Sequence, residues 1–346
     1  MSGTSFDGVD AALIRTDGNN YIELIDTNFV EYNKIEKNLY NNSVIKNYKK
    51  ITNIINDKHI TAIKTLLNNH NHEINIIGLH GQTFFHKPNK GWTWQYINAE
   101  LIAKYFNIKV ISDFRLKDVN TGGEGAPLVP IFHKKLILNS KLDYPSAILN
   151  IGGISNITIV TLDKKLIGFD IGPGNGPLDK LIKKKLNLNM DKDGQLSKAG
   201  IINKDLKKKT FNLLKAEMKT NSFDRTELDN YCLQYLNSLS VTDGLATLVD
   251  LISDFIVKKV KKYDIKNLII TGGGRKNITL VSSIKKKVRC KLFTAEDIGW
   301  DGDSIEAQAF AYLAIRSLKG MNYTYKNTTG VRKSCSGGVL HNIISN

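Results

Sequence analysis

Alternating apolar positions over 9–15 and 21–27 predict two strands, joined through Asp17-Gly18-Asn19, a hairpin signal. From 34 to 70 the chain is polar, with apolar residues at helical spacing: Ile51, Ile54 and Ile55, then Ile63, Leu66 and Leu67. A short apolar run at 74–79 predicts a strand ending at His80-Gly81-Gln82. A helix is expected over 98–106, a strand over 108–112, and a glycine- and proline-rich loop over 113–130. The second half opens with three strands in tight succession, 147–151, 157–160 and 166–171. Helices follow over 177–187, 199–217 and 243–262, then a buried-type strand at 265–271 and a last helix over 303–319. Short strands followed by helices in each half predict two α/β lobes. No Pro/Ser-rich linker separates them, so the boundary is expected as a packed crossing near 130–145.

The length, 346 residues, suits two lobes, and 41% hydrophobic with 24% charged residues gives ordinary cores. The three cysteines, Cys232, Cys290 and Cys335, are scattered without a CxxC pair. That argues against a zinc site or disulfide framework and fits a reducing cytoplasm. No apolar run approaches the ~18 residues of a membrane span, and the N-terminus lacks the basic and apolar regions of a signal peptide. A net charge of +16 raises nucleic acid or an anionic membrane as partners. The lysine runs at 183–185, 207–209 and 285–287 lie on predicted helix faces without interleaved aromatics, so solvated faces are the better reading. Neither nucleic acid nor membrane is expected as a partner.

Four glycine-bearing segments carry the candidate chemistry: Gly3-Thr4-Ser5-Phe6-Asp7-Gly8-Val9-Asp10, Asn150-Ile151-Gly152-Gly153, Asp170-Ile171-Gly172-Pro173-Gly174-Asn175 and Thr271-Gly272-Gly273-Gly274. Glycine lets the backbone turn with positive φ and approach a ligand closely, and successive N–H groups make anion sites. In the first segment, Thr4 and Ser5 could cradle phosphates, and Asp7 or Asp10 could hold Mg²⁺ directly or through water. An ordinary Asp-Gly turn is the alternative. Neither a GxxxxGK[ST] loop nor a GxGxxG fingerprint is present. Asp170 ends a predicted strand, which suits a general base, although a turn or N-cap aspartate reads equally well. The turn after it would aim a helix N-terminus at an anion. The triple glycine, continuing into Arg275-Lys276-Asn277, could lie flat under an adenosine. Arg115, after Ser112-Asp113-Phe114, offers a planar fork to a carboxylate, or a surface salt bridge. His80 and His86 flank Gly81-Gln82, a pairing more often structural than metal-binding.

These segments, in order and spacing, resemble the 1,6-anhydro-N-acetylmuramic acid kinase family of the actin-like ATPase superfamily. The resemblance spans nearly the whole chain: MSGTSFDGVD at 1–10, GLHGQTFFHKP at 78–88, SDFRLKDVNTGGEGAPLVPIFH at 112–133, LNIGGISNIT at 149–158, GFDIGPGN at 168–175, ITGGGRKN at 270–277 and EAQAFAYLA at 306–314. It implies two actin-like, ribonuclease-H-like α/β lobes with a nucleotide cleft between them: 1–135, with 318–346 packing back on it, and 136–317. It implies a kinase that opens the 1,6-anhydro ring with water and phosphorylates the freed 6-oxygen from ATP, with Mg²⁺, in peptidoglycan recycling. Asp170 is then the base that activates water. The nucleotide-binding candidates are Gly3, Thr4, Ser5, Phe6, Asp7, Gly8, Val9, Asp10, Gly152, Gly153, Gly172, Gly174, Asn175, Gly272, Gly273, Gly274 and Asn277, with Asp7 at the metal. His80, Arg115 and Glu306 are the sugar-binding candidates, Arg115 toward the lactate carboxylate. The resemblance further implies a cytoplasmic homodimer.

Four departures stand out. The chain begins at Met1-Ser2-Gly3 where the family usually carries a short apolar strand first; a mis-assigned start and a real truncation are the two readings, and either is expected to weaken stability and ATP affinity. Position 171 is Ile where the family often has Thr. Gln95-Tyr96-Ile97-Asn98 lacks the usual glycine, and the family's PKS-type segment is degraded at Thr220-Asn221-Ser222. Two further readings follow: a kinase of the same fold for another amino sugar, and a non-catalytic nucleotide- or sugar-binding relative.

Overall fold

The computed structural model describes residues 1–3, 6–42, 46–218 and 223–342. Thr4, Ser5 and the Thr220-Asn221-Ser222 segment lie outside the described residues. The chain forms two compact units, Met1–Lys135 with Ser304–Asn346, and Leu136–Asp303.

The first unit starts with the predicted hairpin, β1 (Gly8–Thr16) against β2 (Ile22–Glu31), reversing at Gly18 with φ 71°. The helix Tyr48–Asn68 lays Ile51, Ile55, Ala62 and Leu66 inward at the spacing read from the sequence. Phe6, Val9 and Tyr32 join Ile51, Ile55 and Ala62 in one cluster. The run expected as a strand over 74–79 narrows to β3 (Ile77–Gly78). An unpredicted aromatic hairpin follows, β4 (Gln82–Lys87) and β5 (Trp92–Tyr96). Its aromatics pack on one another, Phe84 edge-on to Trp94 and stacked on Tyr96. These aromatic and β-branched residues suit a pleated pair once they face one another across the turn at Gly91. The helix Ala99–Phe106, capped by Asn98, leads to β6 (Val110–Ser112). β6 runs parallel to β3 and antiparallel to a last strand, Val339–His341. Within the expected 113–130 loop a short helix, Leu116–Asn120, is held by buried Asp118, whose carboxylate accepts from Gly125 N and Thr329 Oγ1.

The helix Ile305–Leu318, expected in the second lobe, belongs to the first unit, which resumes at Ser304. It packs on β1 and β3 through a buried face that includes Ala309, Phe310, Leu313 and Ala314. Gly78 allows the close approach: a Cβ there would stand 2.4 Å from the Phe310 carbonyl oxygen.

The second unit is built on β7 (Ser146–Ile151), β8 (Ile154–Val160), β9 (Leu166–Pro173), β10 (Asn267–Thr271) and β11 (Lys291–Thr294). Their order is β11-β10-β7-β8-β9, an antiparallel meander of β7, β8 and β9 with β10 and β11 parallel to β7. This is the expected ribonuclease-H-like arrangement. β7 and β10 are buried along their whole length, as their continuous apolar runs require. The helix Val241–Lys262 covers the sheet with Leu248, Leu251, Ile252 and Phe255. The helix Arg225–Leu233 escaped the sequence reading, and Ile278–Lys287 entered it only through its lysine run; each is started by a capping side chain, Asp224 and Asn277. Two lysines from the basic runs are internally used: Lys207 and Lys287 both bridge Asp250 and Asp254. Among the described residues no helix is long and apolar enough to cross a membrane.

Candidate active site

Three of the four glycine segments meet at one edge of the second unit. Gly152-Gly153 makes the turn between β7 and β8, Gly174 follows β9, and Gly272 follows β10. The fit leaves no room for side chains. A Cβ on Gly174 would stand 2.3 Å from the Gly152 carbonyl oxygen, one on Gly272 2.1 Å from Asn150 Oδ1, and one on Gly274 2.3 Å from Ile151 Cγ2. Gly272 also has φ 73°, the left-handed region that favours glycine. These glycines therefore serve loop-on-loop packing. Gly152 and Gly273 differ: the nearest atoms to a Cβ there lie at 3.5 Å and 3.6 Å, the latter the Asn175 amide nitrogen. There a Cβ would meet only ordinary van der Waals contact, which leaves room for a ligand to approach the backbone.

Three donors expected to face an anion at the start of the helix Gly176–Leu186 are instead used within the protein. Gly174 N and Gly176 N donate to Gly153 O at 3.1 Å, Asn175 N donates to Gly152 O at 2.7 Å, and Pro177 has no N–H. Turn-to-turn bonding has consumed them. Asn277 is likewise committed, its Oδ1 accepting from Leu280 N at 2.9 Å as a helix cap.

Asp170 sits inside β9 opposite Asn156, two residues before Gly172 and beside a bulge between Ser155 and Asn156. It is neither a turn residue nor an N-cap; Asn175 stands at the N-cap of the next helix. Its half-buried carboxylate accepts from Phe223 N at 3.2 Å. Gly172 lies in the same strand with φ 153°.

In the first unit, Phe6 and Val9 are core residues. Phe6 stacks between Tyr32 and Tyr40 with centroids 3.9 Å and 4.0 Å away, so both can offer a ligand only their backbone. Asp7 is exposed, with Oδ1 accepting from Gly8 N at 3.1 Å. Among the described residues no cluster of three His, Cys, Asp or Glu would hold a metal unaided. One exposed carboxylate does suit Mg²⁺, which keeps waters and takes the rest of its shell from phosphates. The three sugar-binding candidates lie near one another. Arg115 Nε donates to His80 Nε2 at 3.0 Å, and Arg115 Nη1 donates to Gly125 O at 2.8 Å. Buried His80 lies 4.4 Å, ring to ring, from Phe310, one turn beyond Glu306 on the same helix. Asp10 and Glu306 both act on the Met1 amino group, which burial lowers to about 6. Burial first, then the Arg115 charge, hold His80 well below its ordinary pKa. It is neutral, Nε2 accepts, and so Nδ1 carries the proton. That buried Nδ1–H is directed at the Ser2 backbone, which fixes the ring with Nε2 toward Arg115.

The sequence reading missed the stretch at 223–229, which touches both Asp170 and Gly153. Its one local signal was Asp224 followed three residues later by Glu227, a capping pattern.

The family model described as anhydro-N-acetylmuramic acid kinase matches residues 1–342. A protein of that name from Pelagibacter ubique is 38% identical over 98% of this chain and 96% of its own length. One from Zymomonas mobilis subsp. mobilis is 33% identical over 99% of this chain and 98% of its own. A solved ROK family glucokinase from Streptomyces griseus aligns over 89% of this chain and 96% of its own, with 10% identity and a TM-score of 0.44, too distant to carry any argument. The full-length match, together with the joined glycine turns and the neutral His80 beside Arg115, makes this chain a member of the anhydro-N-acetylmuramic acid kinase family.

Proposed function

We propose that the chain uses Asp170 as its base in opening and phosphorylating 1,6-anhydro-N-acetylmuramic acid, giving N-acetylmuramic acid 6-phosphate in peptidoglycan recycling. The kinase activity itself belongs to the family; the residue roles are inferred. ATP supplies the phosphoryl group, and Mg²⁺ at Asp7 would shield its charge. Asp170 takes a proton from water as that water adds at the anomeric carbon. The bond to the 6-oxygen breaks, and that oxygen receives the phosphoryl group while ADP departs. His80 lines the sugar side and fixes Arg115, which, held also by the Gly125 carbonyl, meets the lactate carboxylate. Glu306 accepts from the sugar. The open backbone at Gly152 and Gly273 takes the nucleotide.

The observation that carries this reading is the position of Asp170: inside β9, four residues before Gly174, where the turn that bonds to Gly152-Gly153 begins. The test is mass spectrometry of a reaction with Mg·ATP and the anhydro sugar. The product should be heavier than the sugar by phosphate plus one water, and Asp170→Asn should lower turnover by about a hundredfold or more without loss of fold. Wild-type turnover in that variant would remove the role. A cytoplasmic homodimer completes the proposal; light scattering during gel filtration reads the oligomeric state.

A further inference from the structure

The stretch 223–229 touches the second unit's site twice. Phe223 N–H holds Asp170 Oδ2 at 3.2 Å. Two residues later Arg225 opens a helix and lies across Gly153: a Cβ there would stand 2.7 Å from Nε and 2.9 Å from Cδ and Cζ. One turn on, Asp229 presses against the neighbouring glycine, its Oδ1 2.4 Å from a Cβ built on Gly176. Gly176 N and Gly153 O are themselves hydrogen-bonded, so Arg225 and Asp229 flank a single seam.

The two side chains differ in their surroundings. The Asp229 side chain is 8% exposed, and its Oδ1 has no partner among the described residues. Burial raises its pKa to about 6, against the pull of Arg225 and Lys180. Arg225 Nε lies 3.8 Å from Asp229 Oδ2, an ion pair too long for a hydrogen bond. The carboxylate thus keeps the guanidinium in place without using its donors, and the Arg225 side chain remains 31% exposed. The backbone donors of 174–176 are spent, and Asp224 caps the helix that Arg225 opens. With those three backbone donors spent, Arg225 is the cationic side chain laid on the seam, and a guanidinium fork matches phosphate oxygens.

On the reading that this unit holds the nucleotide, we infer that Arg225 is the charged ligand of its polyphosphate, laid over Gly153 and kept there by Asp229 as a positioning residue. Calorimetric titration of the full chain with Mg·ADP and with adenosine tests this. Arg225→Gln should weaken Mg·ADP roughly 10- to 100-fold, leave adenosine unchanged, and raise KM for ATP but not for the sugar. Arg225→Lys should recover part of the loss. Mg·ADP affinity within about twofold of wild type would overturn the inference, whatever happens to Tm, because Arg225 would then serve only its helix. Equal weakening of adenosine and ADP would overturn it as well. Failure of the underlying reading shows separately, as wild-type protein that does not bind Mg·ADP.

Discussion

His80 shows how much one residue's protonation can decide. A charged imidazole cannot accept from Arg115, and the two cations would repel; burial and the Arg115 charge together keep it neutral. His80→Ala should free the guanidinium from its fixed orientation, raising KM for the sugar about tenfold or more while KM for ATP holds. Arg115→Lys should do the same, because a lysine cannot hold His80 Nε2 and the Gly125 carbonyl at once while presenting a fork. Steady-state kinetics with each substrate varied separately checks both. The glycines divide just as sharply. Gly174→Ala would force a Cβ to within 2.3 Å of a backbone oxygen and should unfold the turn. Gly273→Ala meets nothing closer than 3.6 Å, so Tm should change little while KM for ATP rises. Equal loss of Tm in the two variants would contradict this division. Both positions read alike as loop glycines; only the packing of neighbouring loops separates them.

Among the elements, the start of the helix Ile278–Lys287 gives Asn277 a second role. Asn277 reads as the end of a glycine-rich ligand loop, yet it starts the helix Ile278–Lys287. Asn277→Ala should cost about 1 kcal/mol of stability, seen in denaturant unfolding, with little change in ATP affinity. A large change in affinity with no loss of stability would restore the ligand role. The lysine runs were legible as helix faces, but their partners were not. Asp250 sits behind Lys207 and Lys287, from helices far apart in sequence, at 2.5 Å from each. Those pairings depend on how the helices pack, which local spacing does not encode.

Across the whole molecule, buried neutral histidines set the acid limit. Burial lowers His59 and His133, both in the first unit, to about 3. An unfolded histidine takes up its proton near pH 6.5. Their neutral burial therefore stabilises the fold fully above that value, and the stability is lost as pH falls from about 6.5 toward 3. At pH 5 each should cost about 2 kcal/mol relative to pH 8. Thermal unfolding followed over that range should show Tm falling steeply, and His133→Leu should remove its share of the slope. A flat Tm between pH 7 and 5 would contradict the burial of these rings.

The amino-acid sequence by itself determined the strand-rich start of each half, the hairpin at Gly18, the inward face of the helix Tyr48–Asn68, and the buried β7 and β10. Those features follow from periodicity and from residues whose backbone preferences are local. It also carried the ordered motifs that mark the family, because glycine turns, Asp170 and Arg115 are spelled in short windows. Only the tertiary structure decided that the helix Ile305–Leu318 packs on β1 and β3, that Phe6 and Val9 are core, and that the donors of 174–176 are consumed. It alone brought Arg225 onto Gly153 and Arg115 onto His80. Each of these is a contact between residues distant along the chain, fixed by close packing and hydrogen-bond satisfaction rather than by any local pattern.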